Sequence, residues 1–213
     1  AMVYFFVPNI IGYVRVISGC LAFWYYEDSS FFFTFYFVSY FLDCLDGYAA
    51  RYFKQATRFG QMLDMVTDRC CSAALLAVLA HLYTGPKAFG FLLLLALDLA
   101  SHYCHVYSQL LSGESSHKKL SDDESWLLKL YYRSQLVLFI LCLTNESFFV
   151  LLYLLHHAEL GGNIAATMKG GILFLIYAFF PFAFIKQYIN LLQFMSACRK
   201  IVAYDLRERA KAT

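Results

Sequence analysis

The sequence predicts an all-α fold, a polytopic membrane protein of six transmembrane helices forming a single domain over residues 1–213. Three observations carry this. Of the 213 residues, 61% are hydrophobic and only 15% charged, against about 25% charged in soluble domains. The charges cluster, leaving apolar runs from Phe31 to Phe41, Ala88 to Leu97, Leu136 to Leu143 and Ile172 to Ile185. Extended by flanking Tyr, Ser and Gly, these runs approach the ~20 residues a helix needs to cross about 30 Å of hydrocarbon.

Six spans follow, at roughly 8–26, 31–52, 60–82, 88–111, 134–156 and 167–190. The first holds Asn9, Gly12 and Arg15 inside its opening turns rather than ahead of an apolar core, so it does not read as a cleavable signal, and Val7 onward is expected to be mature structure. The second begins after Glu27, Asp28 and two serines and ends at the polar stretch from Lys54 to Thr57. Gly85 and Pro86 separate the third from the fourth, Ser112 to Lys129 the fourth from the fifth, and Gly161 to Asn163 the fifth from the sixth. With six spans both termini share one side. Basic residues lie overwhelmingly on that side, from Arg15, Arg51 and Arg58 to the tail Arg199, Lys200, Arg207, Arg209 and Lys211, while only Lys87 and Lys169 fall opposite. This bias predicts that both termini face the cytosol. Seven cysteines sit mostly within the spans without CxxC spacing, which argues against a zinc or disulfide framework.

The stretch LDCLDGYAARYFKQATRFGQMLDMVTDR at 42–69 stands out in this apolar setting, because it holds Asp43, Asp46, Asp64 and Asp68. A carboxylate near the bilayer centre costs about 3 kcal/mol on insertion scales, so four at the ends of adjoining spans need compensation. Asp43 and Asp46 are three apart and Asp64 and Asp68 four apart, so each pair shares a helix face. Hard divalent cations ligated by oxygen would relieve their repulsion; so would salt bridges to Arg51, Arg58 and Arg69 in a solvated interfacial loop. Gly47, Ala49, Ala50 and Gly60 leave space beside the acids. Arg51 offers a planar fork for phosphate oxygens. Carboxylates for metal, an arginine for phosphate and small residues for access describe a site for a metal-bound diphosphate, with Thr57 at its edge.

The pattern Asp43-x2-Asp46-Gly47-x2-Ala50-Arg51-x8-Gly60-x3-Asp64-x3-Asp68 resembles the full signature of the CDP-alcohol phosphotransferase family. The likeness runs on through VPNIIGYVR at 7–15, LDLASH at 97–102 and SHKK at 116–119, and is greatest to the eukaryotic branch that uses myo-inositol. The resemblance implies that Asp43, Asp46, Asp64 and Asp68 hold Mg²⁺ or Mn²⁺ and that Asp68 also accepts a proton. It implies that Gly47, Arg51 and Thr57 contact CDP-diacylglycerol. The implied reaction transfers the phosphatidyl group from CDP-diacylglycerol to myo-inositol with release of CMP, in the endoplasmic reticulum membrane. Another alcohol, such as glycerol phosphate, serine or an aminoalcohol, is the alternative, and more remotely a divalent-cation transporter.

Other features admit bland readings. Asp98, Ser101, His102 and His105 share a face of the fourth span and read either as a polar wall facing inositol or as a hydrogen-bonded packing seam. Ser116 to Lys119 read as a solvated run or lipid-headgroup contact, and the basic tail as attracted to anionic membrane lipid rather than nucleic acid. Ala73 and Ala77 form a small-x3-small step that could pair helices within one protomer or across a homodimer.

Overall fold

The computed structural model describes residues 2–111, 125–160 and 166–212; the Ser116–Lys119 run and the Gly161–Asn163 break lie outside them. After a 3₁₀ turn at Met2–Phe5 come α1 (Val7–Trp24), α2 (Ser29–Tyr52), α3 (Arg58–Leu82), α4 (Pro86–Leu111), α5 (Trp126–Arg133), α6 (Gln135–Glu159) and α7 (Ala166–Ala212). Each expected span falls on one of the six long helices, and no strand occurs among the described residues. Five of these helices, α1, α3, α4, α6 and α7, are long and apolar enough to cross a membrane, which makes this a multi-pass membrane protein. Although α2 is not one of those five, it exposes a stripe of Phe33, Phe37 and Phe41, with successive ring centroids 6.1 and 6.2 Å apart. An apolar stripe of this kind is what lipid solvates without cost.

Polar residues between spans set the helix ends. Asp28 Oδ1 accepts from the backbone N–H groups of Ser30 and Phe31 at 3.0 and 3.1 Å and so caps α2. At the far end of α2 the chain closes with Gln55 N–H donating to Ala50 O at 2.9 Å, around Lys54 at φ 53°. That left-handed residue is usually glycine in such caps. Thr57 Oγ1 then accepts from Gly60 N–H at 3.0 Å, capping α3. Gly85, at φ +64°, makes the turn into α4, where Pro86 occupies a first-turn position that needs no N–H.

The contacts divide the chain into two compact units, residues 1–78 and 79–213. In the first, α1 packs along α2, with Phe23 meeting Phe32 and Tyr36 edge-on at 5.8 and 5.9 Å. Two glycines on α1 admit α3: a Cβ at Gly12 would stand 2.8 Å from Leu63 Cδ2, and one at Gly19 3.1 Å from Cys71 Sγ. In the second unit α7 packs on α4 and α6, and α5 adds Leu128 and Tyr131 to a core with Leu141 and Ile189.

Two elements differ from expectation. The short α5 lies in what reads as a polar loop; Ser125 Oγ accepts from Leu128 N–H at 3.2 Å to start it, and Ser134 both ends it and caps α6. The last helix runs to 212 rather than stopping near 190, because residues 191–212 lose hydropathy but contain neither Gly nor Pro.

Candidate active site

The first unit gathers the acidic stretch around a single cation. Asp43 and Asp46 come from α2, Asp64 and Asp68 from α3, and all four bond the guanidinium of Arg15 on α1. Nη1 donates to Asp46 Oδ2 at 2.6 Å and Asp64 Oδ1 at 2.7 Å; Nη2 meets Asp43 Oδ1 at 2.6 Å and Asp68 Oδ1 at 2.5 Å. Arg15 is buried, whereas the Asp43, Asp64 and Asp68 side chains keep 34%, 46% and 38% of their surface exposed and so remain accessible to a ligand. Ser39 Oγ donates to Arg15 O at 3.0 Å and ties α2 to α1 beside the cluster.

The expected acidic pairing is therefore present: the spacing of three on α2 and four on α3 puts each pair on one face, and α1 lies against both. Ligand oxygens of Asp43, Asp64 and Asp68 lie within 4.8 Å of one another. Asp46 does not belong to that triplet; it joins through Arg15 Nη1, which it shares with Asp64. An all-carboxylate donor set on a partly exposed face suits a hard divalent cation, and its convergence on one positive group shows that these oxygens can be brought together around positive charge. The residues present fit a metal.

Beside the acids opens a cleft of about 280 Å³ whose walls include Asp46, Gly47, Arg51, Thr57, Gly60 and Asp64. The residues expected to meet a lipid-linked diphosphate thus line one space. A Cβ at Gly47 would stand 3.6 Å from Arg51 Nη1, so glycine there keeps the approach to that exposed guanidinium open. At Gly60 a Cβ would come within 2.8 Å of Asn9 Oδ1 and 3.3 Å of Thr57 Oγ1, so any larger residue there would have to displace those side chains. Gln55 Oε1 accepts from Val7 N–H at 3.0 Å and holds the α2–α3 connection against the start of α1.

Three contributors were not legible as site residues. Arg15 stands in the sequence as one more topogenic charge, and Asn9 and Gly12 as polar interruptions of the first span. The signal was there: an arginine inside an apolar helix is a functional suspect by default. Asn9 lines the cleft, donates through Nδ2 to Val3 O at 2.6 Å, and leaves its buried Oδ1 without a protein donor.

In the second unit, the polar face of α4 forms a seam. Asp98 and Ser101 are buried; Asn190 Nδ2 donates to Asp98 Oδ1 at 3.3 Å, and Lys186 Nζ to Asn190 Oδ1 at 2.5 Å. His102 Nδ1 lies 2.8 Å from Asp98 O, and His105 Nε2 3.0 Å from Gln109 Nε2. Together with Tyr132 on α5, whose hydroxyl lies 3.4 Å from His105 Nε2, these groups find partners within α4, α5 and α7.

Four carboxylates from α2 and α3 beside a cleft with Arg51 at its edge suit a substrate that carries phosphate. The chain belongs to the CDP-alcohol phosphatidyltransferase family, whose model matches residues 5–160. It is 39% identical over 98% of its length to the human CDP-diacylglycerol–inositol 3-phosphatidyltransferase, covering 97% of that protein. It is 43% identical over 99% of its length to the enzyme of that name from Schizosaccharomyces pombe, covering 94% of it. A probable CDP-diacylglycerol–inositol 3-phosphatidyltransferase 2 of Arabidopsis thaliana is 39% identical over 98% of the chain and 95% of that protein. No solved structure matches this chain.

Proposed function

We propose that the protein transfers the phosphatidyl group from CDP-diacylglycerol to myo-inositol, releasing CMP, as one membrane domain at the cytosolic face of the endoplasmic reticulum. The observation that carries this reading is the meeting of Asp43, Asp64 and Asp68 oxygens beside a cleft lined by Gly47, Arg51 and Thr57. The names of relatives that match along almost the whole chain support inositol as the acceptor.

Asp43, Asp46, Asp64 and Asp68 would hold Mg²⁺ or Mn²⁺, which supplies charge neutralisation for the diphosphate and the departing CMP. Arg51 binds phosphate oxygens with its fork, while Gly47 and Thr57 bound the headgroup. Asp68, whose carboxylate stays partly exposed, takes the proton of the inositol hydroxyl as its oxygen attacks the lipid-side phosphorus. The new phosphorus–oxygen bond forms as the bond to CMP breaks. A site at the membrane rim admits acyl chains from lipid and a polyol from water. Pairing of two copies along Ala73 and Ala77 belongs to this reading as well.

The deciding assay follows CMP released from CDP-diacylglycerol by purified protein, with inositol, serine, glycerol phosphate or no alcohol, under Mg²⁺ and Mn²⁺. Inositol-dependent CMP is expected, falling about 10²–10⁴-fold in Asp68→Asn as befits loss of a general base. CMP dependent on another alcohol would reassign the acceptor, and an undiminished Asp68→Asn rate would remove Asp68 from catalysis.

A further inference from the structure

We infer that Arg15 is a positioning residue that stands in for the divalent cations: its guanidinium holds the four aspartates converged and must withdraw before metal can occupy the same oxygens. This rests on the reading above that these carboxylates bind metal.

The geometry is specific. Each Nη carries two N–H groups, and each serves two aspartates, one from α2 and one from α3: Asp46 and Asp64 at Nη1, Asp43 and Asp68 at Nη2. Three hydrogen bonds, to Asp46, Asp64 and Asp68, and an ion pair with Asp43 thus tie the terminal nitrogens to the quartet, and the buried Nε–H is left without a partner. A guanidinium that engages one carboxylate side-on commonly uses Nε as part of its fork. Here that bond is forgone so that both terminal nitrogens reach across two helices. The arginine is thus placed to clamp α2 to α3 rather than to pair with any one acid.

The same placement excludes metal. Mg²⁺ sits about 2.0–2.1 Å from its oxygens, and Nη atoms at 2.5–2.7 Å already occupy the space between those oxygens. Arg15 and metal therefore compete, and binding of one releases the other.

The test is Mn²⁺ titration of the full-length protein in nanodiscs, read from the electron paramagnetic resonance signal of free Mn²⁺. Arg15→Met is expected to bind Mn²⁺ about tenfold or more tightly than wild type, the gain when a site competent one-tenth of the time becomes fully competent. Millimolar methylguanidinium is expected to weaken Mn²⁺ binding to Arg15→Met and to leave wild type unchanged. Arg15→Lys, which keeps the charge but cannot span both acid pairs, is expected to fall between the two, and it serves if Arg15→Met does not fold. Affinity in either variant equal to or weaker than wild type, with Mn²⁺ still lost in Asp64→Asn/Asp68→Asn, overturns the competition while leaving the metal reading standing. Mn²⁺ binding that is absent from wild type and variants, or indifferent to Asp64→Asn/Asp68→Asn, overturns both.

Discussion

At the scale of single residues, the site depends on shape as much as on charge. Arg51 and Gly47 illustrate the first kind of constraint. The exposed guanidinium borders the cleft, and a lysine there would keep the charge but lose the planar fork. Arg51→Lys is therefore expected to raise the KM for CDP-diacylglycerol about tenfold or more, the equivalent of one lost charged hydrogen bond, with inositol KM little changed. Gly60 illustrates the second. A methyl group placed 2.8 Å from Asn9 Oδ1 must displace the buried Asn9 side chain, and overpacking of this kind costs about 1–3 kcal/mol. Thermal unfolding of Gly60→Ala should show that loss together with slower CMP release; an unchanged midpoint would mean that Asn9 moves aside freely. The acids were legible because helical periodicity places i, i+3 and i+4 residues on one face without knowledge of the rest of the fold. Arg15 was not, because its meeting with them depends on how α1 lies against α2 and α3, and sequence spacing carries no information across separate helices.

At the scale of elements, ends and lengths matter most. Polar clusters marked most helix ends correctly, and Asp28 and Thr57 show why: their side chains accept the backbone N–H groups that a helix leaves orphaned. Lys54 departs from the usual chemistry. It holds a left-handed conformation that costs a residue with a Cβ about 1–2 kcal/mol, so Lys54→Gly should raise stability by about 1 kcal/mol in thermal unfolding. No gain would mean that the lysine side chain contributes an offsetting contact. The last helix was read too short because hydropathy was used to end it, whereas backbone propensity decides where a helix stops. At 1.5 Å per residue its 47 residues extend about 70 Å, more than twice the ~30 Å of hydrocarbon. The exposed final turns, with Arg207, Arg209 and Lys211, therefore belong to water or to lipid headgroups. The short α5 escaped notice for the opposite reason: eight residues are too few to display a period, and its helical state comes from burying Leu128 and Tyr131.

At the scale of the whole molecule, composition and the clustering of charge sufficed to place the protein in a membrane, since no other environment accepts such a surface. Phe31, Phe174, Tyr177 and Phe184 remain more than half exposed, as residues facing acyl chains would. Partner choice in the second unit was harder to read, because Asn190 on α7, itself bonded by Lys186, meets Asp98 on α4 across a long stretch of chain.

Four acids confined beside one arginine also set a limit on how rigid this enzyme can become. Substituting Asn for Asp43 keeps an oxygen for Arg15 Nη2 and removes one of the mutually repelling charges. In chelator-treated protein, Asp43→Asn should unfold about 2–4 °C above wild type, as a gain of roughly 1 kcal/mol implies at this size, while CMP release collapses. An equal or lower midpoint would show that the quartet carries no stored repulsion. Robustness in the resting enzyme and readiness to take up its ions thus pull against each other, and selection for heat tolerance alone would erode the very feature that makes turnover possible.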